Sequence, residues 1–133
     1  NIFAEGLKNL NIKFAWIVNS EDGLDEISPY AKTNVMQLKN GEISEITIDP
    51  KLLNINAEKF ENLVGDDSKY NANKMMEIFK GKDNDFSKAV CLNAAAGLIV
   101  NEKFSEFSDA YNHSREFILS GKPYLHLEKL QNV

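Results

Sequence analysis

The stretch KFAWIVNSEDGLDEIS, Lys13–Ser28, decides how the rest of the chain is read. Its first half, Phe14–Val18, is aromatic and β-branched without polar alternation, the composition of a short strand covered on both faces. Its second half crowds Glu21, Asp22, Asp25 and Glu26 around Gly23. Like charges so close together repel, so this loop is either a solvated turn or a seat for a hard cation. A strand buried on both sides suits a parallel sheet with helices packed on it. The acidic loop then lies just past the carboxyl end of a strand, where open α/β sheets bind ligands.

On the amino-terminal side, IFAEGLKNL (2–10) places Ile2, Phe3, Leu7 and Leu10 on one helical stripe, and Asn11 ends the pattern. On the other side, TNVMQLKNGEISEITIDP (33–50) carries two apolar runs around Asn40-Gly41, the signature of a β-hairpin with a two-residue turn. Residues 51–63 read as short helical turns whose Ile55, Phe60 and Leu63 tuck against the sheet. Gly65-Asp66-Asp67 is either a helix entry or a second acidic site. The helix that follows, near Asn71–Lys80, turns Met75, Met76 and Phe79 inward and stops at Gly81. Asp85 or Ser87 caps the next helix. Its body, AVCLNAAAGLIV (89–100), is apolar nearly all round and therefore central, with Asn93 in need of hydrogen-bond partners. Amphipathic segments at about 104–119 and 122–131 complete one α/β body without repeats or an interior linker.

At 133 residues and 43% hydrophobic content the chain can bury a core of its own. Its net charge of -5, with scattered lysines and Arg115 as the one arginine, argues against a nucleic-acid surface. No apolar run approaches membrane-spanning length. Cys91 stands alone, which excludes an intrachain disulfide and suits a reducing cytoplasm; in a core helix it reads as a small apolar residue. His113 and His126 fall in separate helices, without the spacing of a zinc site or a catalytic triad. The acidic loop lacks the spacing of a calcium-binding EF-hand. The first residue is Asn1 rather than methionine, so a piece of something longer is expected.

Several motifs together resemble one family. Gly23-Leu24-Asp25-Glu26-Ile27-Ser28 after an apolar strand is similar to the GLDEIS segment of anthranilate phosphoribosyltransferases. Lys39–Ile43 with Ile48-Asp49-Pro50 resembles that family's hairpin, and Gly65-Asp66 with Asn71-Ala72 its GGD…NA segment. Leu92–Ala96 resembles its LNAAA helix, and Ser120-Gly121 with Leu127–Leu130 its tail. The resemblance covers essentially the whole chain. It implies the C-terminal part (1–133) of a three-layer α/β phosphoribosyltransferase domain, related in fold to nucleoside phosphorylases. The amino-terminal helical domain and phosphate loop would precede it. It implies a pentosyltransferase of tryptophan biosynthesis, cytoplasmic and homodimeric, that joins anthranilate to phosphoribosyl pyrophosphate, with Asp25 and Glu26 matching the pair that holds Mg²⁺. No catalytic residue is assigned in this portion, which alone is expected to be inactive. A pyrimidine-nucleoside phosphorylase and a non-catalytic nucleic-acid-binding or interaction relative are the alternatives. The chain departs from the pattern where Asn19-Ser20 replaces a His-Gly pair, at Pro29–Lys32, and where Val64 replaces a glycine.

Overall fold

A computed structural model describes residues 2–131. Helix α1 (Ile2–Asn9) leads into strands β1 (Phe14–Ser20), β2 (Thr33–Lys39) and β3 (Glu42–Ile48). Two 3-10 turns, Pro50–Leu53 and Phe60–Leu63, precede helices α2 (Ser68–Phe79), α3 (Asp85–Val100), α4 (Phe107–Leu119) and α5 (Lys122–Gln131). The hairpin forms as its sequence dictates. Asn40 and Gly41 both take positive φ, 50° and 84°, and set Lys39 opposite Glu42.

Strand direction around β1 differs from expectation. β1 pairs antiparallel with β2, Val18 opposite Val35 and Ser20 opposite Thr33, and the described sheet is an antiparallel meander in the order β1-β2-β3. Nor is β1 buried on both faces: Phe14–Val18 are all only half-buried and Asn19 is exposed, because β1 is an edge strand of the described sheet and an apolar run shows neither how completely its faces are covered nor which way its neighbour runs. Phe14, Trp16 and Val18 pack on the main core, which joins Val35 and Ile48 of the sheet to Leu92, Ala95 and Ile99 of α3 and Ala110 and Ile118 of α4. Leu38, on the opposite face from Val35, is fully buried outside that core, and α1 lies against β1 and β2. Helices α3 and α4 thus share the main core with the sheet, α1 adds contacts to β1 and β2, and most of β3 stays exposed.

Other corrections share one cause: a helical stripe shows that a face is apolar, not which apolar residues a partner reaches. In α1 it is Ala4 that is buried, while Ile2, Phe3 and Leu10 are exposed. In α2, which begins at Ser68, Ile78 is the buried residue and Met75 faces out. Phe60 is exposed, whereas Ile55 joins the core. Helix α3 is one-sided: Cys91, Leu92, Ala95 and Ile99 are buried, while Val90, Ala94 and Gly97 look outward. Its cap is Asn84, which accepts from Ser87 N–H while the Ser87 hydroxyl accepts from Asn84 N–H, a reciprocal capping box. Helix α4 begins at Phe107 rather than near 104.

The end of α2 was legible. Gly81 N–H donates to Ile78 O and Lys82 N–H to Glu77 O, with Gly81 at φ +94°. A Cβ there would sit 2.7 Å from Leu119 O. Gly81→Ala is expected to destabilise the protein by about 1–3 kcal/mol through strain and contact together, read as a lowered urea midpoint.

Candidate functional site

Residues 21–32 connect β1 to β2 and carry the acidic cluster. Glu21 N–H donates to Lys32 O at 2.9 Å, closing the base of the loop. Ser20 N–H donates to Leu24 O at 3.2 Å and Gly23 N–H to Ser20 O at 3.1 Å. That tight turn needs Gly23 at φ +92°. The four carboxylates then separate by role. Asp22 is structural: it accepts from Ser28 Oγ at 2.5 Å and from Leu24 N–H at 3.3 Å. Partial burial pushes its carboxyl up, but bonds from Ser28, Ser20 and Leu24 outweigh that and hold it below the ordinary carboxylate value. Ser28 also accepts from Tyr30 N–H at 2.9 Å, and its own N–H donates to buried Thr33 Oγ1 at 3.2 Å.

The far side of the loop is held from α3. Ile27 is buried, and Asn93 clamps its main chain, accepting from Ile27 N–H at 3.0 Å and donating to Ile27 O at 3.1 Å. Asn93 finds its partners, as the sequence required, and they lie in the acidic loop. Between the fixed points Leu24 and Ile27 stand Asp25 and Glu26, both exposed. Neither carboxylate has a hydrogen bond or ion pair among the described residues. Glu21 is exposed as well, on the β1 side of Gly23. No group of three or more His, Cys, Asp or Glu forms a ready cage among the described residues. A pair of carboxylates presenting hard oxygen donors fits Mg²⁺, which takes one or two such ligands and completes its shell with water and substrate phosphates.

The sequence missed the strongest polar centre. Asp85, at the start of α3, is 3% exposed and gathers donors from four places. Glu58 N–H reaches its Oδ2 at 3.0 Å, Asn62 Nδ2 at 2.9 Å and Tyr30 OH at 3.0 Å, while Lys88 Nζ bonds Oδ1 at 2.9 Å. Tyr30 OH also meets Lys59 O, and Lys88 Nζ meets Asn56 O at 2.6 Å. Burial raises the Asp85 carboxyl, but donation from Lys88, Asn62, Glu58 N–H and Tyr30 overrides it and holds the group far below the ordinary value. Burial and the Asp85 charge push the Tyr30 phenol above its usual value. The motif NDFS shows only a capping pattern; nothing local marks that residues 23 to 55 positions upstream converge on it.

The remaining candidates are structural. Burial pushes the Cys91 thiol up to about 11, leaving it protonated and inert. His113 stacks on Phe104 with ring centroids 5.1 Å apart. Asp67 caps α2 by accepting from Tyr70 N–H at 2.7 Å, so the second acidic stretch is a helix entry.

Residues 1–124 match the model of a family described as glycosyl transferase family, a/b domain. The chain belongs to that family. It is 74% identical over 132 residues to an anthranilate phosphoribosyltransferase of Pelagibacter ubique, covering 99% of this chain and 40% of that protein. To the Clostridium kluyveri enzyme of the same name it is 34% identical over 129 residues, 97% of this chain and 38% of the relative. The crystal structure of anthranilate phosphoribosyltransferase from Thermus thermophilus superposes with a TM-score of 0.83 at 26% identity, covering 95% of this chain and 37% of that one. A Saccharomyces cerevisiae variant of that enzyme with Mg bound matches in fold, with a TM-score of 0.82 at 21% identity, over 95% of this chain and 37% of its own. The chain therefore spans about two-fifths of the length of the curated relatives it matches.

Within this glycosyl transferase domain, two departures from the motif pattern are absorbed locally. Ser20 is buried, and its hydroxyl donates to Lys32 O at 3.3 Å, adding a tie to the base of the loop. Val64 sits at φ −67°, ψ 120°, open to any residue, whereas at Gly65 a Cβ would lie 2.8 Å from Asn71 Oδ1 and push that side chain aside. Asn71 uses that space to accept from Asp66 N–H at 3.1 Å and donate to Asp66 O at 2.9 Å.

Proposed function

We propose that this chain is the C-terminal part of the catalytic α/β domain of an anthranilate phosphoribosyltransferase, with Asp25 and Glu26 as its Mg²⁺ ligands. The intact enzyme would form a C–N bond from the anthranilate amine to C1 of phosphoribosyl pyrophosphate as the C1–O bond to pyrophosphate breaks. The observation that carries the reading is the bracketed pair: two adjacent exposed carboxylates, free of internal partners, between residues fixed by hydrogen bonds. Held by these two residues, Mg²⁺ would offset the negative charge that develops on the leaving pyrophosphate. Asp25 and Glu26 provide oxygen donors at a set place, and Ser20, Asp22, Ser28 and Asn93 hold that place. No side chain of this portion is needed as a nucleophile, since the acceptor amine attacks directly. The 74% identity to the Pelagibacter relative supports the substrate choice. The same reading makes the intact protein a cytoplasmic homodimer of tryptophan biosynthesis.

The test is turnover by the full-length protein. Pyrophosphate release from phosphoribosyl pyrophosphate is expected to depend on both anthranilate and Mg²⁺, and phosphorolysis of uridine or thymidine to be absent. The reverse result overturns the assignment in favour of a nucleoside phosphorylase. The isolated 133-residue chain is expected to turn over neither, being about two-fifths of the relatives' length.

A further inference from the structure

We propose that Asn93 of α3 is a positioning residue for the Asp25–Glu26 pair, setting metal affinity without contacting the metal; this rests on the metal-ligand reading above. Asn93 stands in the apolar body of α3, where a short amide is a poor helix former and buries polar atoms at a cost. Its contacts explain its presence. Oδ1 accepts from Ile27 N–H at 3.0 Å, and Nδ2 donates to Ile27 O at 3.1 Å and to Ala89 O at 2.9 Å. Both amide hydrogens and the carbonyl are used, and flipping the amide would set donor against donor and acceptor against acceptors. The side chain behaves like one rung of a β-ladder, reaching from the core helix to hold both main-chain groups of Ile27, whose own side chain is 1% exposed.

Glu26 precedes Ile27, and Asp25 follows Leu24. Leu24 is fixed by Ser20 N–H on its carbonyl and by Asp22 Oδ1 on its N–H. The two ligands therefore span a gap of two residues between pinned ends, and Asn93 supplies one of the pins. With both ends held, the backbone beneath the carboxylates is set before a cation arrives, and binding orders little besides two side chains. Without Asn93, the carboxylates keep their charge but lose one end of their frame.

The experiment uses the full-length protein with Mn²⁺ as the probe, its free concentration followed by electron paramagnetic resonance without substrates. Asn93→Ala is expected to weaken Mn²⁺ binding roughly 10- to 100-fold, the range typical of residues that orient metal ligands. A second readout needs no metal and includes the wild type. Hydrogen exchange at Ile27 N–H is expected to be slow in the wild type and at least ~10-fold faster in Asn93→Ala, with α3 core amides unchanged. Asn93→Asp keeps an acceptor for Ile27 N–H but sets a carboxylate against Ile27 O, and is expected to fall between the two in exchange. If Asp25→Asn with Glu26→Gln abolishes Mn²⁺ binding while Asn93→Ala leaves it intact, the positioning role is wrong and the ligand assignment stands. If wild-type Mn²⁺ binding ignores the Asp25/Glu26 double change, the ligand assignment itself is wrong. Fast exchange at Ile27 in the wild type would remove the clamp altogether.

Discussion

Asp25→Asn combined with Glu26→Gln in the full-length protein is expected to lower anthranilate-dependent turnover of phosphoribosyl pyrophosphate roughly 10²- to 10³-fold, the usual loss when a preorganised stabiliser of developing charge is removed. Stability should shift by less than about 0.5 kcal/mol, since both side chains are exposed without internal partners. Any shift should be upward, because the change relieves repulsion among Glu21, Asp25 and Glu26. Glu21→Gln separates general charge from ligation. It neutralises a carboxylate of the same loop that lies outside the proposed ligand pair, and turnover should stay at the wild-type level. Steady-state kinetics across a Mg²⁺ titration, paired with thermal unfolding, measures all three. A double variant with the wild-type Mg²⁺ dependence would remove the proposed ligands.

What the sequence made legible follows the range of the forces involved. Short-range geometry was readable. Asn40-Gly41 dictates a two-residue turn, and Gly81 ends α2 because that position needs a positive φ. The charge cluster after a strand was readable only as an acidic loop, and it was the family resemblance, not the charge pattern, that picked Asp25 and Glu26 out of four carboxylates as the proposed ligands. Neither the direction of β1 nor its half-buried state was readable, because an apolar run reports nothing about its neighbour's direction or how much of the strand is covered. Nor was the face of α1, where small Ala4 is buried and bulky Phe3 is exposed. Asn93 is intermediate. The need for partners follows from any amide in an apolar helix, but their identity, Ile27 at 66 positions' distance, belongs to tertiary structure alone.

Asp85 was the least visible, and its removal should have the largest effect on stability. The exposed pairs Lys82–Glu77 at 2.8 Å and Arg115–Asp83 at 2.5 Å contribute little, because water competes for both partners. Asp85 is different in kind: it is 3% exposed and bonded to Lys88, Asn62, Glu58 N–H and Tyr30. Asp85→Ala leaves those donors facing an apolar gap and is expected to cost about 3–5 kcal/mol, a large share of a typical domain's stability. Asp85→Asn keeps the shape and one acceptor but sets an amide against donors, and should cost about 1–3 kcal/mol. The pH dependence fixes the sign. The folded carboxyl lies below its unfolded value of 3.8, so its contribution is complete above about pH 5 and falls away as pH drops towards the folded value. Urea unfolding from pH 7 to 3 should therefore show wild type and Asp85→Asn furthest apart near neutrality and converging in acid. A gap that stays constant over that range would mean that Asp85 stabilises the 56–63 segment by packing, not by its charge.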